Sequence, residues 1–312
     1  MPNPISPKPI TKLFALAAAA LFLVAPLATR AQEKSNQVTT VITVLGPKFT
    51  APPAYTKEDI AVTEGKDKDT IANLVPAQGD KAGLELAIVV DEANDTSFGN
   101  QMNDIKAFIN GQPQSTAVGV FYANNGTVQA LTQFTTDHAA AAGTIRLTVG
   151  RMGAYSSIYL ATMDLIKRWP DKGNRREILL IADGIDRFRG DPFSPDVQST
   201  VDAAQKAGIM IHTLYCSGTG RYARNMFRVN YGQSNLAQLT DGTGGESFFQ
   251  GLQTPISYAP YLAQLDTILK NQAYLTFGVQ PSKNKKGELR NIRVRSVEKE
   301  LDISAADRVW VQ

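Results

Sequence analysis

Three aspartates stand at or just beyond the ends of apolar runs, where chemistry could gather. Asp91 closes Leu84-Glu-Leu-Ala-Ile-Val-Val90, Asp95 follows four residues later, and Asp183 closes a second run over Arg175 to Ala182. Carboxylates that converge repel one another unless a cation, a lysine or arginine, or protonation relieves them. Hard divalent ions such as Mg²⁺ and Ca²⁺ take oxygen ligands of this kind, so Asp91, Asp95 and Asp183 form a candidate metal site. A second constellation lies in segment 217–232, where Arg221, Arg224 and Arg228 interleave with Tyr222, Phe227 and Tyr231. It reads as a long loop. Arginine pairs carboxylates bidentately and aromatic rings bury large areas, which makes these residues candidate anchors for a protein partner.

The parts of an enzyme are missing from the sequence. There is no Gly-x-Ser-x-Gly elbow, Walker loop, His-Glu-x-x-His or Cys-x-x-Cys. The two histidines are expected to be structural: His138 solvated on a short polar helix, His212 inside a strand. Cys216, the one cysteine, ends the strand pattern Ile209–Cys216 and reads as a buried thiol. Along an extended chain it lies too far from His212 to form a nucleophile pair. The Gly242–Gly245 cluster follows a helix and precedes a strand, the reverse of a phosphate-binding loop, and is read as a turn. The acids could serve a metal-dependent hydrolase, but no histidine is expected near Asp91 or Asp183. A non-catalytic binding protein fits better, with a structural envelope component as the third alternative.

The first residues have the order of a secretory signal peptide. Lys8 and Lys12 precede an apolar run from Leu13 to Ala25, then Pro26 and the small residues Thr29 and Ala31 mark a cut after residue 31. The run is shorter than the roughly 20 residues that span a bilayer. Removing residues 1–31 takes away Lys8, Lys12 and Arg30, so Lys plus Arg falls from 32 to 29 and equals the 29 Asp plus Glu. A mature chain without a basic excess has no global field to draw in nucleic acid or anionic lipid. It is expected in the periplasm or secreted, with an extracytoplasmic protein as its partner. A single cysteine forms no intramolecular disulfide, so stability must come from a hydrophobic core.

The elements that would position these groups follow from periodicity. Val38–Leu45, Ile60–Thr63 and Thr70–Pro76 read as strands of a small β unit. From Leu84 the texture changes to continuous apolar runs, at Leu84–Val90, Arg175–Ala182 and Gly208–Tyr215, that suit parallel strands covered on both faces. Helical patterns fall between them at Phe98–Ile109, Asp196–Ala207 and Asn235–Thr240, with a last helix over Tyr258–Asn271. Asn124-Asn-Gly126 predicts a tight hairpin, hence one antiparallel edge. The tail returns to β texture at Ala273–Val279 and Leu289–Val297. The fold class is therefore α/β: an open, mostly parallel, doubly wound sheet (83–272) inserted in a small β unit built from both termini (32–82 and 273–312).

These landmarks also carry a family likeness. Leu86-Ala-Ile-Val-Val-Asp91, Ile178-Leu-Leu-Ile-Ala-Asp183-Gly184 and Leu236–Gly245 resemble three successive segments of von Willebrand factor A domains. Lys57–Glu64, Tyr274–Pro281 and Ile292–Arg295 resemble the exported bacterial "VWFA-related domain" group. The resemblance implies a metal-ion-dependent adhesion site at the top of the sheet, with Asp91 and Asp183 as its acids and Mg²⁺ or Ca²⁺ as its ion. The expected serine positions read Ala93 and Asp95, and Met152 aligns with the expected threonine, a soft ligand for a hard ion. The site is accordingly read as degenerate, with an altered cation site and a metal-free binding domain as the two outcomes.

Overall fold

The β-branched N-terminal stretch forms β1 (Asn36–Leu45), followed by β2 (Ile60–Glu64), β3 (Asp67–Asp69) and β4 (Ile71–Pro76). The computed structural model describes residues 36–149, 156–190, 194–249, 251–282 and 284–312, without the side chains of Arg221 and Tyr222. The predicted signal peptide and Met152 lie outside the described residues. The described residues belong to one unit, Ser35–Gln312.

The chain then enters the α/β layers: β5 (Leu84–Asp91), α1 (Met102–Asn110), β6 (Thr116–Asn124), β7 (Thr127–Thr135), α2 (His138–Gly143), α3 (Ile158–Arg168), β8 (Arg175–Ala182), α4 (Pro195–Ala207), β9 (Ile209–Tyr215), α5 (Gly220–Ala223), α6 (Met226–Thr243), β10 (Ser247–Phe248) and α7 (Ala259–Lys270). Among the described residues the sheet runs β10-β9-β8-β5-β6-β7. All neighbours are parallel except β6 and β7. Those two are joined by the expected turn, with Asn125 and Gly126 at φ 52° and 76°, the region that Asn and Gly adopt at low cost.

Successive side chains of a strand face opposite ways, and β5 divides accordingly. Leu84, Leu86, Ile88 and Val90 enter the core shared with α1, α2 and α7. Ala87 and Val89 enter the core shared with α3, α4 and α6. Every residue of β5, β8 and β9 is buried, which is why these runs are mostly apolar, with Glu85, Arg175, Glu177 and His212 held by buried hydrogen bonds or ion pairs. Helix starts follow side-chain caps: Asp137 for α2, Ser157 for α3 and Ser194 for α4 each accept a backbone N–H of the first turn.

The chain returns through β11 (Gln272–Val279), β12 (Glu288–Asn291), β13 (Arg293–Ser296), β14 (Asp302–Ala305) and β15 (Arg308–Val311). β1 pairs antiparallel with β11 along its whole length, from Asn36 opposite Val279 to Thr43 opposite Gln272. Both termini therefore build the β unit, in a sheet ordered β14-β1-β11-β4. Ile42, Val44, Ile60, Val62, Leu275 and Phe277 share its core.

Several sequence expectations change. The single strand predicted over Leu289–Val297 breaks at Ile292, which turns inward, is 6 % exposed and donates its N–H to Asp307 O at 2.8 Å. β12 consequently pairs with β15, while β13 pairs with β2. The helix expected from Phe98 begins as a 3₁₀ turn over Thr96–Gln101 before α1. The loop expected over 217–232 is largely helical. Asn225 caps α6 by accepting from Phe227 N and Arg228 N, and the helix runs to Thr243, absorbing Gly242. Periodicity missed its first half because Gly232 and polar residues interrupt any apolar stripe.

The β unit has a small core, so its large side chains matter individually. Phe277 is fully buried, and Phe277→Ala should cost about 3–5 kcal/mol by lost transfer energy and the cavity left behind. Urea unfolding of the variant should show a midpoint lowered to match; an unchanged midpoint would mean that the β unit contributes little to global stability.

Candidate functional site

β5 and β8 are the adjacent strands at which the order of the sheet reverses, and crevices outside such a switch point are where open α/β sheets usually bind ligands. Asp91 is the last residue of β5 and Asp183 follows the last residue of β8. The sequence therefore places two acids side by side at that crevice, and both are nearly inaccessible, at 5 % and 1 %.

The group facing them is Arg187, which the sequence reading did not name. Its Nη1 donates to Asp183 Oδ1 at 3.0 Å, its Nη2 donates to Asp183 Oδ2, and Nη1 also reaches Ile185 O at 3.2 Å. Asp183 Oδ1 further accepts the Ile185 N–H at 2.9 Å. The guanidinium side chain is 4 % exposed. Its charge acts on Asp91 as well as on Asp183, and the two acids together hold Arg187 more firmly protonated than usual. A signal existed in the sequence, since Arg187 stands four residues after Asp183, but nothing local distinguishes it from Arg189.

Asp91 Oδ1 accepts the Ala93 N–H at 2.9 Å. Burial pushes its carboxyl up to about 6, against the opposing pull of Arg187, and Asp183 adds to the rise. Asp95 does not join the pair. Its Oδ1 accepts the Ser97 N–H at 2.9 Å and the Ser97 hydroxyl, capping the 3₁₀ turn, and Ser97 Oγ continues to Thr254 Oγ1 at 2.7 Å. Of the three candidate acids, Asp91 and Asp183 therefore stand side by side and Asp95 is engaged elsewhere. Among the described residues no group of three acids, histidines or cysteines is arranged to hold a metal ion. These residues do not fit a Mg²⁺ or Ca²⁺ centre: Asp183 gives both oxygens to Arg187, Asp95 faces its own turn, and Ala93 offers no side-chain oxygen.

The crevice is closed by backbone. The loop after β5 is stapled to the loop after β9 by Asp95 N to Ser217 O and Thr219 N to Ala93 O, both 2.8 Å. Gly218 bridges to Asn94 and packs on the ion pair, so that a Cβ there would overlap Asp183 and Arg187. Gly184, at φ 72°, lies as tightly against Gly232 of α6, which explains both a residue free to adopt positive φ and a glycine within a helix.

A largely parallel sheet with three strands on one side of its first strand and two on the other, one antiparallel edge strand, and paired acids at the switch point now stand together. The α/β layers have the arrangement that the resemblance to von Willebrand factor A domains implies. Solved structures are similar to the chain in part and at low identity. BatB from Bacteroides thetaiotaomicron matches with a TM-score of 0.44 at 16% identity, over 60% of this chain and 100% of its own. An aerotolerance-related membrane protein from Bacteroides fragilis gives 0.43 at 13%, over 60% and 98%. The ArnB paralog VWA2 from Sulfolobus acidocaldarius gives 0.40 at 9%, over 88% and 75%. No protein-family model and no curated protein matches the chain.

Both histidines sit away from the acids of the VWA-like domain. His212 pairs in register with Leu179, four residues before Asp183 and so roughly 13 Å away along the strand. Its Nε2 meets Glu177 Oε2 at 2.8 Å while Nδ1 accepts the Glu246 N–H, which puts the ring proton on Nε2. His138 is buried rather than solvated, because Ala141 and Ala142 anchor its helix in the core and its Nε2 meets Thr116 O at 2.8 Å. Cys216 is buried as expected, its thiol pushed up to about 12 by burial.

The second predicted constellation is partly assembled. Phe227 and Arg228 line a cleft of about 190 Å³ together with Ile185, Asp186, Asn225 and Tyr231. Phe227 is 76 % exposed, Met226 51 %, and Arg224 is also exposed. The side chains of Arg221 and Tyr222 are outside the described set. Sequence reasoning missed Ile185, which the bend after β8 brings to the cleft, and Met226, which stands exposed on the first turn of α6.

The raised Asp91 value has a definite sign. The folded protein keeps a proton to about pH 6 that the unfolded chain loses near 3.8. Stability from this group is therefore full below about pH 4 and lost as pH rises through about 6. Asp91→Asn should escape that loss, gaining about 3 kcal/mol on the natural protein between about pH 4 and pH 7 in urea unfolding. A difference that stays constant across the range would refute the assignment.

Proposed function

We propose that this chain is an exported, non-catalytic protein-interaction module of adhesion type, binding an extracytoplasmic protein through the rim beside α6. The observation that carries this reading is Phe227, held 76 % in water on the first turn of a capped helix with Met226 51 % exposed beside it. Large apolar groups fixed in solvent next to a cleft gain most when a partner covers them. Exposed Arg224 adds a positive charge suited to a partner's carboxylates. The export half of the proposal rests on the leader-like order of residues 1–31. Among the described residues no helix is long and apolar enough to cross a membrane.

Site-specific photocrosslinking tests the rim. With a photoreactive phenylalanine at position 227 in cells, a discrete adduct with one extracytoplasmic protein is expected, and none with the probe at exposed Lys299. Equal labelling from both positions, or none from either, would reject the rim. Mass spectrometry of the chain from the same cells should find its first residue at Gln32; retention in the cytoplasm with the leader intact would reject export.

A further inference from the structure

The buried pair at the switch point poses an electrostatic problem that most open α/β sheets do not have. Asp91 and Asp183 stand side by side at the ends of neighbouring paired strands and are 5 % and 1 % exposed. Charges so far from water require a partner. Arg187 meets that need in a particular way. It grips Asp183 with two nitrogens, as a guanidinium grips a carboxylate when both are desolvated. Its Nε–H, also buried, has no acceptor among the described residues. A buried donor left unmade is unfavourable, so the position is not one that completes arginine's own hydrogen bonding. It is one that sets positive charge directly on Asp183 and within electrostatic reach of Asp91. The backbone around it agrees, since Gly218 leaves no side chain where the guanidinium lies against Asp183.

We infer that Arg187 is a tethered cation standing in for a divalent ion at the crevice of this VWA-like domain, so that the domain is closed to metals by its own side chain. The metal-free state is then built into the fold rather than a consequence of losing ligands. It follows that Asp91 and Asp183, too few to fill a divalent ion's shell by themselves, can meet such an ion only when the guanidinium is gone, with water as the remaining ligands. This inference does not rest on the partner-binding reading, and neither stands or falls with the other.

Thermal unfolding with and without millimolar Mn²⁺ tests it, using the natural protein, Arg187→Ala, Arg187→Lys and the double variant Arg187→Ala/Asp183→Asn. The natural protein and Arg187→Lys, which keeps a positive charge, should show no change in Tm with Mn²⁺. Arg187→Ala should be less stable without metal and gain several degrees with it, as a ligand that binds only the folded state must produce. The double variant should lose that gain. If Arg187→Ala is unfolded, recovery of its circular dichroism on adding Mn²⁺ reads the same latent site, with Arg187→Gln as the milder variant. Stabilisation of the natural protein by Mn²⁺ overturns the inference, as does the absence of any Mn²⁺ response in both Arg187→Ala and Arg187→Gln.

Discussion

Two carboxylates buried at the ends of adjacent strands are the constraint around which the upper half of this domain is arranged. Water has almost no access to them, and the Asp183 charge makes ionisation of Asp91 harder. Two of the available remedies act together: the Asp183–Arg187 ion pair supplies positive charge, and the rise in the Asp91 value to about 6 lets that group take up a proton more readily. Much of the surrounding backbone is shaped by the ion pair. Gly218 gives it room, Gly184 and Gly232 let α6 press on the loop that carries it, and the staples between the loops after β5 and β9 keep solvent out. Such pairs are costly to break, because removing one partner leaves an uncompensated buried charge.

This closure moves the chemistry outward. A crevice filled by the protein's own guanidinium has little to offer a ligand, whereas the rim a few residues away carries Met226 and Phe227 in water. The scaffold that holds the rim is rigid for local reasons. Asn225 fixes the start of α6, Val229, Leu236 and Leu239 pin the helix to the sheet, and Gly244 in the left-handed conformation ends it. The β unit contributes in another way. By pairing β1 with β11 it ties the two ends of the inserted domain together, and the same Gln272 that begins β11 accepts a hydrogen bond from Arg175 at the start of β8.

Much of the architecture was legible because each layer leaves its own mark on composition. Strands covered on both faces must be mostly apolar, as Leu86–Val90 and Ile178–Ala182 are, and the buried Glu85 near the start of β5 is held by Trp169 and Lys172. A hairpin that needs positive φ at two positions calls for residues like Asn125-Gly126. The misses share a cause. His138 looked solvated because its helix is short and weakly patterned, yet a single alanine-rich turn suffices to bury it. The first half of α6 carries no stripe because part of it faces water by design of the rim. Ile292 breaks a strand that propensity alone would continue, since its side chain is needed in the core.

The sequence by itself determined the α/β class, the insertion between two β segments, the places of Asp91 and Asp183 and, were those acids to meet, the need for positive charge or protonation there. These are matters of periodicity, strand ends and charge, all local properties of the chain. Only the tertiary structure decided which charge answers that need, that Asp95 turns away to cap its own helical turn, and which aromatic side chains reach the rim. Those outcomes depend on distances between segments remote in sequence, such as Gly218 against Arg187 or Thr254 against Ser97. An arginine's long side chain can point anywhere its surroundings allow, so its partner is fixed by packing and not by spacing.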